Sequence, residues 1–405
     1  MMGCSVPKVD QTVSDFFCSD DQDLTIGVAV SGGSDSVALL LALTRVFPAE
    51  RIKAVTIDHG LRVDAPYEAE WVGRLCSIKG VGHQVLKSTN LLPGSNLQAR
   101  ARDARYALLA KWGQCCDILC LGHSQTDLVE TFLMRLARGS GVDGLSAMAE
   151  RWTRKNLKWA RPLLTLSRQE LRQYLKMNNQ DWCDDPSNND LNYTRVRIRE
   201  SQKHLEYLGF NPTRLANTAN RMSNVREALN FALKNIRPKL MQIDLGDILL
   251  DRTKLAEIPV EFSERIVAES LCWVGQQIYR PRIVALRRAI ATKTACSLHG
   301  CVVIPQPDNF LRITREHKLV KDQVTLCPTV WDGRYYAPEY GKDYKIKSLG
   351  KTGLLLCPDW RTTCRPRASL IASPSIWQGD DLISAPLANF GAKDVVQVVP
   401  TPWDL

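Results

Sequence analysis

Leu24-Thr25-Ile26-Gly27-Val28-Ala29-Val30-Ser31-Gly32-Gly33-Ser34-Asp35-Ser36-Val37-Ala38-Leu39-Leu40-Leu41-Ala42-Leu43 is the stretch on which the reading of this chain turns. Leu24–Val30 is an apolar run of strand length, Val37–Leu43 has the composition of a buried helix, and Ser31–Ser36 between them is a loop of serine and glycine around one aspartate. Strand, glycine loop and helix in that order form an anion-binding arrangement. The glycines let the backbone approach a phosphate, the hydroxyls add donors, and the helix N-terminus offers free N–H groups and the positive end of its dipole. A polyphosphate fits there. The plainer alternative is a βα turn in which Ser34 or Asp35 only caps the helix. The loop is not a Walker A, since no Gly-Lys-Ser/Thr follows, and it lacks the third glycine of a dinucleotide fingerprint.

Outward from this loop the pattern repeats: Ile52–Ile57 precedes Tyr67–Ile78, Val81–Leu86 precedes Asn96–Trp112, and Asp117–Gly122 precedes Thr126–Arg138. Short apolar runs alternating with helical patterns predict an α/β fold, a parallel sheet with helices on both faces. Ligands of such sheets sit beyond the carboxyl ends of the strands, so the residues after each run are the ones to inspect. From Pro212 to Arg288 the pattern becomes helical, with Leu215, Met222, Val225, Leu229, Phe231 and Leu233 on one long helix and another helix around Glu264–Trp273. Past Val302, the runs Cys301–Ile304, Leu311–Ile313 and Leu354–Cys357 read as strands between Gly and Pro. The expected domains are 1–211, catalytic; 212–300, helical; and 301–405, small and β-rich or α+β.

The net charge of +10 over 405 residues suits a polyanionic partner, because neutralising phosphates releases condensed counterions. Charge alone does not choose nucleic acid. No stretch offers the roughly 18 uninterrupted apolar residues of a membrane span. The first residues, with Asp10, Asp15 and Asp20, do not read as a secretory signal, so the expected location is the cytoplasm. Thirteen cysteines, an odd number without a C-x-x-C pair, argue against a disulfide framework, a zinc ribbon or an iron–sulfur site.

Four further segments carry candidate chemistry. Gly122-His123-Ser124-Gln125-Thr126-Asp127-Leu128-Val129-Glu130-Thr131 follows the fourth strand, and Asp127 and Glu130 share one helix face. Such a pair can hold an ammonium group, a magnesium ion or a proton in transit, or it can be a first-turn dipole effect. Asp58-His59 follows the second strand, and Arg102 and Arg105 are spaced to share a helix face that could equally be solvated. Arg151–Arg161 contains five basic residues, among them Arg154 and Lys155, with Trp152 and Trp159 and no acid. That composition suits an RNA strand or loop, or an exposed hairpin. Trp182-Cys183-Asp184-Asp185-Pro186-Ser187-Asn188 leads to Tyr193, Arg195, Arg197 and Arg199.

Ser31–Ser36 resembles the SGGxDS signature of the PP-loop ATP-pyrophosphatase superfamily. The stretch from Gly122 through Arg138-Gly139-Ser140-Gly141 to Gly144-Leu145 resembles the GHxxDDQxET…RGSGxxGL segment of the tRNA(Ile)-lysidine synthase family. Asp58–Arg62, Ala101–Tyr106 and Trp182–Arg199 are similar to further segments of that family. Thr126 and Leu128 depart from it, standing where Asp and Gln are common. The resemblance implies a PP-loop fold of the adenine nucleotide alpha hydrolase type, with ATP as substrate and Mg2+. Ser31, Gly32, Gly33, Ser34, Asp35, Ser36, Asp58, His59, Arg102 and His123 would lie at the nucleotide, Asp35 also at the metal, and Asp35, Asp127 and Glu130 would be catalytic. It places tRNA at Arg105, Arg154, Lys155, Arg195, Arg197 and Arg199 and along both C-terminal domains. The implied reaction joins L-lysine to C2 of the wobble cytidine of an isoleucine tRNA with a CAU anticodon. Homodimerisation is left open. Rival readings are a PP-loop tRNA thiolase, an amidotransferase-like ligase and a non-catalytic RNA-binding protein.

Overall fold

The computed structural model describes residues 7–17, 21, 23–58, 60, 65–87, 97–154, 156–184, 192, 194–401 and 403. The chain divides into two compact units, Met1–Arg226 and Glu227–Leu405. The first runs α1 (Lys8–Phe16), β1 (Ile26–Ala29), α2 (Ser34–Val46), β2 (Ile52–Asp58), α3 (Ala65–Ile78), β3 (Gly82–Lys87), α4 (Leu97–Trp112), β4 (Ile118–Leu121) and α5 (Gln125–Leu136). The short α6 (Val142–Leu145), the hairpin β5 (Arg151–Arg154) and β6 (Leu157–Ala160), α7 (Arg168–Met177), α8 (Thr194–Glu200), α9 (Gln202–Tyr207) and α10 (Pro212–Leu240) follow.

The six strands form one sheet in the order β3-β2-β1-β4-β6-β5, parallel except for β5. β1 lies inside the sheet and every residue of it is buried, which explains its unbroken apolar run. Val13, Leu40, Val72 and Leu171 bring α1, α2, α3 and α7 onto one core. Tyr106 and Leu109 of α4 pack with Leu119 and Trp159 in another. Each such fully buried aliphatic side chain stabilises the unit by about 1.5–3 kcal/mol. The expected α/β sheet is thus present, with the loop at the C-terminal end of β1.

In the second unit α10 ends and β7 (Met241–Asp244), β8 (Asp247–Asp251), α11 (Arg252–Glu257), α12 (Val260–Gly275), α13 (Ile283–Ile290), β9 (Cys296–Leu298), β10 (Cys301–Pro305) and β11 (Phe310–Arg315) follow. These strands form an antiparallel sheet in the order β7-β8-β11-β10-β9. Ile248, Val303 and Ile313 share a core with Ile266, Val267 and Leu271 of α12. Next come β12 (Val324–Leu326), β13 (Tyr335–Tyr336), β14 (Lys345–Ser348), α14 (Gly350–Leu355), α15 (Arg367–Ala372), β15 (Pro374–Gln378), β16 (Asp381–Ser384) and β17 (Gln397–Val398). They build a β12-β14-β15-β16 sheet and a β13-β17 pair.

Two sequence readings change here. Leu354–Cys357, expected as a strand, belongs to the end of α14 and the turn after it, with Leu354 and Cys357 buried and Leu355 and Leu356 exposed. Burial at i and i+3 is the helical period, which a four-residue apolar run does not reveal. The stretch expected to be wholly helical contains the β7–β8 hairpin, whose loop residues Leu245 (φ 49°) and Gly246 (φ 93°) both take the left-handed conformation. The expected boundary at 300/301 falls between β9 and β10, neighbours in one sheet. Among the described residues, no helix is long and apolar enough to cross a membrane.

Candidate active site

The loop after β1 owes its shape to glycine at two points. Gly32 has φ +87°, a conformation that costs other residues. Across from it, a Cβ on Gly122, just past β4, would lie 2.8 Å from Ser36 Cα and 2.9 Å from the Asp35 carbonyl oxygen, so only glycine lets the two strand ends approach. Inside the loop the Ser31 N–H donates to Ser36 Oγ (3.2 Å), and the Ser36 hydroxyl donates to the Gly33 carbonyl (2.9 Å). No side chain caps α2, and Ser34 donates instead to Asp35 Oδ1 at 2.9 Å. The helix-cap alternative therefore fails: the first-turn N–H groups keep their capacity to bind an anion.

α5 and α7 bring the remaining groups. Ser124 and Asp127 form a capping box at the start of α5, and Ser167 and Glu170 form one at the start of α7, fixing where each helix begins. The Ser124 hydroxyl lies 3.0 Å from Asp35 Oδ2 and 3.1 Å from Asp127 Oδ2, its one proton shared between two carboxylates. Arg168, the first residue of α7, sends Nε to Asp35 (3.0 Å), Nη2 to Asp127 (3.3 Å) and Nη1 towards Glu130 (3.8 Å). From α8, Arg199 grips Glu130 Oε1 with two nitrogens at 3.0 and 2.9 Å, and Arg195 stands 4.0 Å from Glu130 Oε2. Glu130 Oε2 is buried and has no hydrogen-bond donor among the described residues.

These surroundings drive the two carboxylates of α5 apart. Burial pushes Glu130 above its ordinary value, aided by the charge of Asp127 and only partly opposed by Arg199 and Arg168. Burial acts on Asp127 in the same sense, but the charge of Arg168 and the Ser124 N–H work against it, and Asp127 is held below the usual carboxylate range. His123 is lowered to about 3 by burial, with nearby arginines adding to the effect, so its imidazole is neutral. Arg161 Nε donates to His123 Nδ1 at 3.2 Å.

A cleft of about 620 Å³ opens on this group, lined by Ser31, Asp35, Arg105, His123, Arg168 and Arg199 among others. Ser34, Ser36, Gly33, Asp127 and Arg195 also reach it. Glu130 faces an adjoining cavity of about 480 Å³, which Arg168 and Arg199 line as well. Of the paired helix arginines, Arg105 lines the cleft, whereas Arg102 is exposed and packs over Tyr106, 5.1 Å from the ring centre. Asp58 is buried and accepts the Gly60 N–H at 2.8 Å, without lining the cleft. Arg197 is exposed and donates to Thr194 at 3.1 Å. His59, Lys155, Tyr193 and 185–188 lie outside the described residues.

The basic and aromatic run after α6 is an edge hairpin, but its rings are not free. Trp159 is fully buried and stacks on Trp152 at 5.7 Å, Arg161 sits 3.8 Å over Trp152, and Arg154 sits 5.3 Å over Tyr106. The run thus supports His123 through Arg161. Arg168 is the functional candidate that sequence reasoning missed. It lies 133 residues from Asp35 in an otherwise ordinary helix start, and only the Ser167–Glu170 capping signature marks its position.

The donor set suits magnesium. No group of three His, Cys, Asp or Glu side chains among the described residues could hold a metal unaided. Mg2+ in nucleotide sites commonly takes one or two carboxylates plus phosphate oxygens, and Asp35 and Asp127, joined through Ser124, offer two hard oxygen ligands at the loop.

The PP-loop domain family matches residues 6–204. The tRNA(Ile)-lysidine synthase of Ruegeria pomeroyi is 40% identical over 372 residues, covering 90% of this chain and 88% of that protein. The tRNA(Ile)-lysidine synthase of Wolbachia pipientis wMel is 32% identical over 390 residues, covering 91% and 90% respectively. Among solved structures, a U34-tRNA thiolase from Methanococcus maripaludis aligns over 54% of this chain and 78% of its own, at 16% identity and TM-score 0.44. A PP-loop match over the catalytic unit, together with similarity running nearly end to end, means that the chain belongs to the tRNA(Ile)-lysidine synthase family.

Proposed function

We propose that this protein ligates L-lysine to C2 of the wobble cytidine in the CAU anticodon of an isoleucine tRNA, at the expense of ATP. The product, lysidine, would change decoding from AUG to AUA and the tRNA's identity from methionine to isoleucine. The observation that carries the reading is the convergence of an uncapped glycine loop with Asp35, Asp127 and Glu130 at one end of the parallel sheet.

The loop Ser31–Ser36 and the N-terminus of α2 cradle the ATP phosphates, with His123 and Arg105 along the cleft. Asp35 and Asp127 would hold magnesium, which would supply charge neutralisation at the phosphates. The cytidine C2 oxygen attacks the α-phosphorus and pyrophosphate leaves; the ε-amine of lysine then attacks C2 and AMP leaves with the oxygen. Most of the rate enhancement comes from positioning and electrostatics. The attacking amine must be neutral. Glu130, raised by burial, is the better proton acceptor, and Asp127, held ionised, is the better charge partner. Arg154, Lys155, Arg195, Arg197 and Arg199 are assigned to tRNA, together with the helical stretch 212–300 and the β-rich stretch 301–405; the setting is the cytoplasm.

The test is transfer of labelled L-lysine to an isoleucine tRNA transcript with a CAU anticodon, beside one with a changed wobble base. Lysine retained on the first alone, with AMP released, is the expected result. ATP cleavage without lysine transfer would leave the loop reading standing and remove lysine as second substrate.

A further inference from the structure

Arg168 spends all three guanidinium nitrogens on Asp35, Asp127 and Glu130, at 3.0, 3.3 and 3.8 Å. Its backbone is fixed by the Ser167–Glu170 box and by its own N–H, which donates to Thr126 Oγ1 at 3.1 Å. Its head lies where two cavities meet, and it lines both of them. Beside it stands a buried carboxylate oxygen, Glu130 Oε2, on a side chain about 4% exposed, with no donor among the described residues. Arg195 Nε stays 4.0 Å from that oxygen, a charged neighbour too far to donate, so Oε2 keeps the capacity to accept from another positive group.

We propose that Arg168 is a built-in counter-cation: it occupies the seat among Asp35, Asp127 and Glu130 in the unloaded protein and withdraws as external cations enter. The incoming cations are those of the reading above, the magnesium ion and the lysine ammonium, and in that respect the proposal rests on it. Without an internal cation, carboxylates crowded around one seat repel. Arg168, in contact with all three, offsets that repulsion and keeps them in register. The same charge opposes any metal ion arriving without nucleotide. When phosphates accompany the metal, the guanidinium gains a new anionic partner in the cleft and can release Asp35.

An ordinary structural ion cluster makes the opposite forecast, so Mn2+ titration of the nucleotide-free full-length protein, followed by electron paramagnetic resonance, decides. Wild type is expected to bind Mn2+ weakly. Arg168→Met, shown folded by its melting curve, should bind it about tenfold more tightly, because a positive charge within a few ångströms of the seat is gone. Arg168→Lys, which keeps the charge, should stay close to wild type. If Arg168→Met unfolds, Arg168→Gln takes its place. Equal affinity in wild type and the neutral variant overturns the proposal. So does a gain shared by Arg168→Lys, which would trace it to space, or a gain that survives Asp35→Asn in the Arg168→Met background. Equilibrium dialysis of labelled lysine, with magnesium and a non-hydrolysable ATP analogue, runs alongside. Lysine that binds no variant under any condition counts against the functional reading, while the Mn2+ result still decides the role of Arg168.

Discussion

Glu130 and Asp127 stand one turn apart on α5, yet their surroundings push them in opposite directions, and that difference is measurable in the pH dependence of lysine transfer. Glu130 is held above its ordinary value of 4.5 first by burial and then by Asp127. A carboxylic acid with a raised value is protonated, and useless as a proton acceptor, below that value. Lysine transfer should therefore fall as pH drops through the raised value of Glu130. Asp127, lowered by Arg168 and the Ser124 N–H against the effect of burial, stays charged through the same window and contributes no acid limb there. In Glu130→Gln, the residual rate should drop by roughly 10²–10⁴ at neutral pH and lose its acid limb. An acid limb that persists unchanged in Glu130→Gln would assign the proton transfer elsewhere. Arg168 belongs to this scale as well, and it was invisible in the sequence because nothing local distinguishes it. Its importance arises from three partners between 38 and 133 residues away, a convergence that only the folded sheet creates.

Elements differ in how much of them the chain announces. Strands β1, β2 and β4 were legible because each is buried through most of its length, so apolar runs and turns mark their ends, whereas β3, at the sheet edge, has no buried residue and was marked only by its place in the alternation. The β7–β8 hairpin was not, since its short strands mix polar and apolar residues and its turn carries leucine in a left-handed conformation that favours glycine or asparagine. In the β5–β6 hairpin, composition misled about exposure: the tryptophans looked available to bases but fill the core beside α4. Trp159→Ala should accordingly lower unfolding stability by about 3–5 kcal/mol in urea titration. A variant of unchanged stability with weakened tRNA affinity would restore the aromatic-platform reading. The contact between the β4 and β1 ends gives a second prediction. In Gly122→Ala the added methyl must displace the first turn of α2, because it would sit 2.8 Å from Ser36 Cα. Nucleotide affinity, measured by equilibrium dialysis of an ATP analogue, should fall at least about tenfold, since small misplacements of a phosphate cradle are costly. Retained affinity would show that the loop tolerates the shift and that its glycine spacing is not what seats the phosphates.

For the whole molecule, the question is which substrate receives the adenylyl group. A net charge of +10 prepares the protein for a large polyanion, and the phosphate cleft alone is too small to account for that preference. If the acceptor is the cytidine carbonyl, pyrophosphate can be returned to ATP only when tRNA is bound, whether or not lysine is present. ATP–pyrophosphate exchange should therefore require tRNA and proceed without lysine. An amidotransferase-like ligase activating its own small carboxylate would show the reverse, exchange driven by the small substrate in the absence of RNA. Salt separates the contributions further. The apparent affinity for tRNA should fall steeply with rising salt, with a log–log slope of roughly 0.7–0.9 per phosphate neutralised. The affinity for ATP, set largely by backbone N–H groups and buried partners in the cleft, should fall far less. Exchange that needs lysine but no tRNA would move this chain's chemistry to an amino-acid adenylate, and the basic surface would then have to be explained by something other than the substrate.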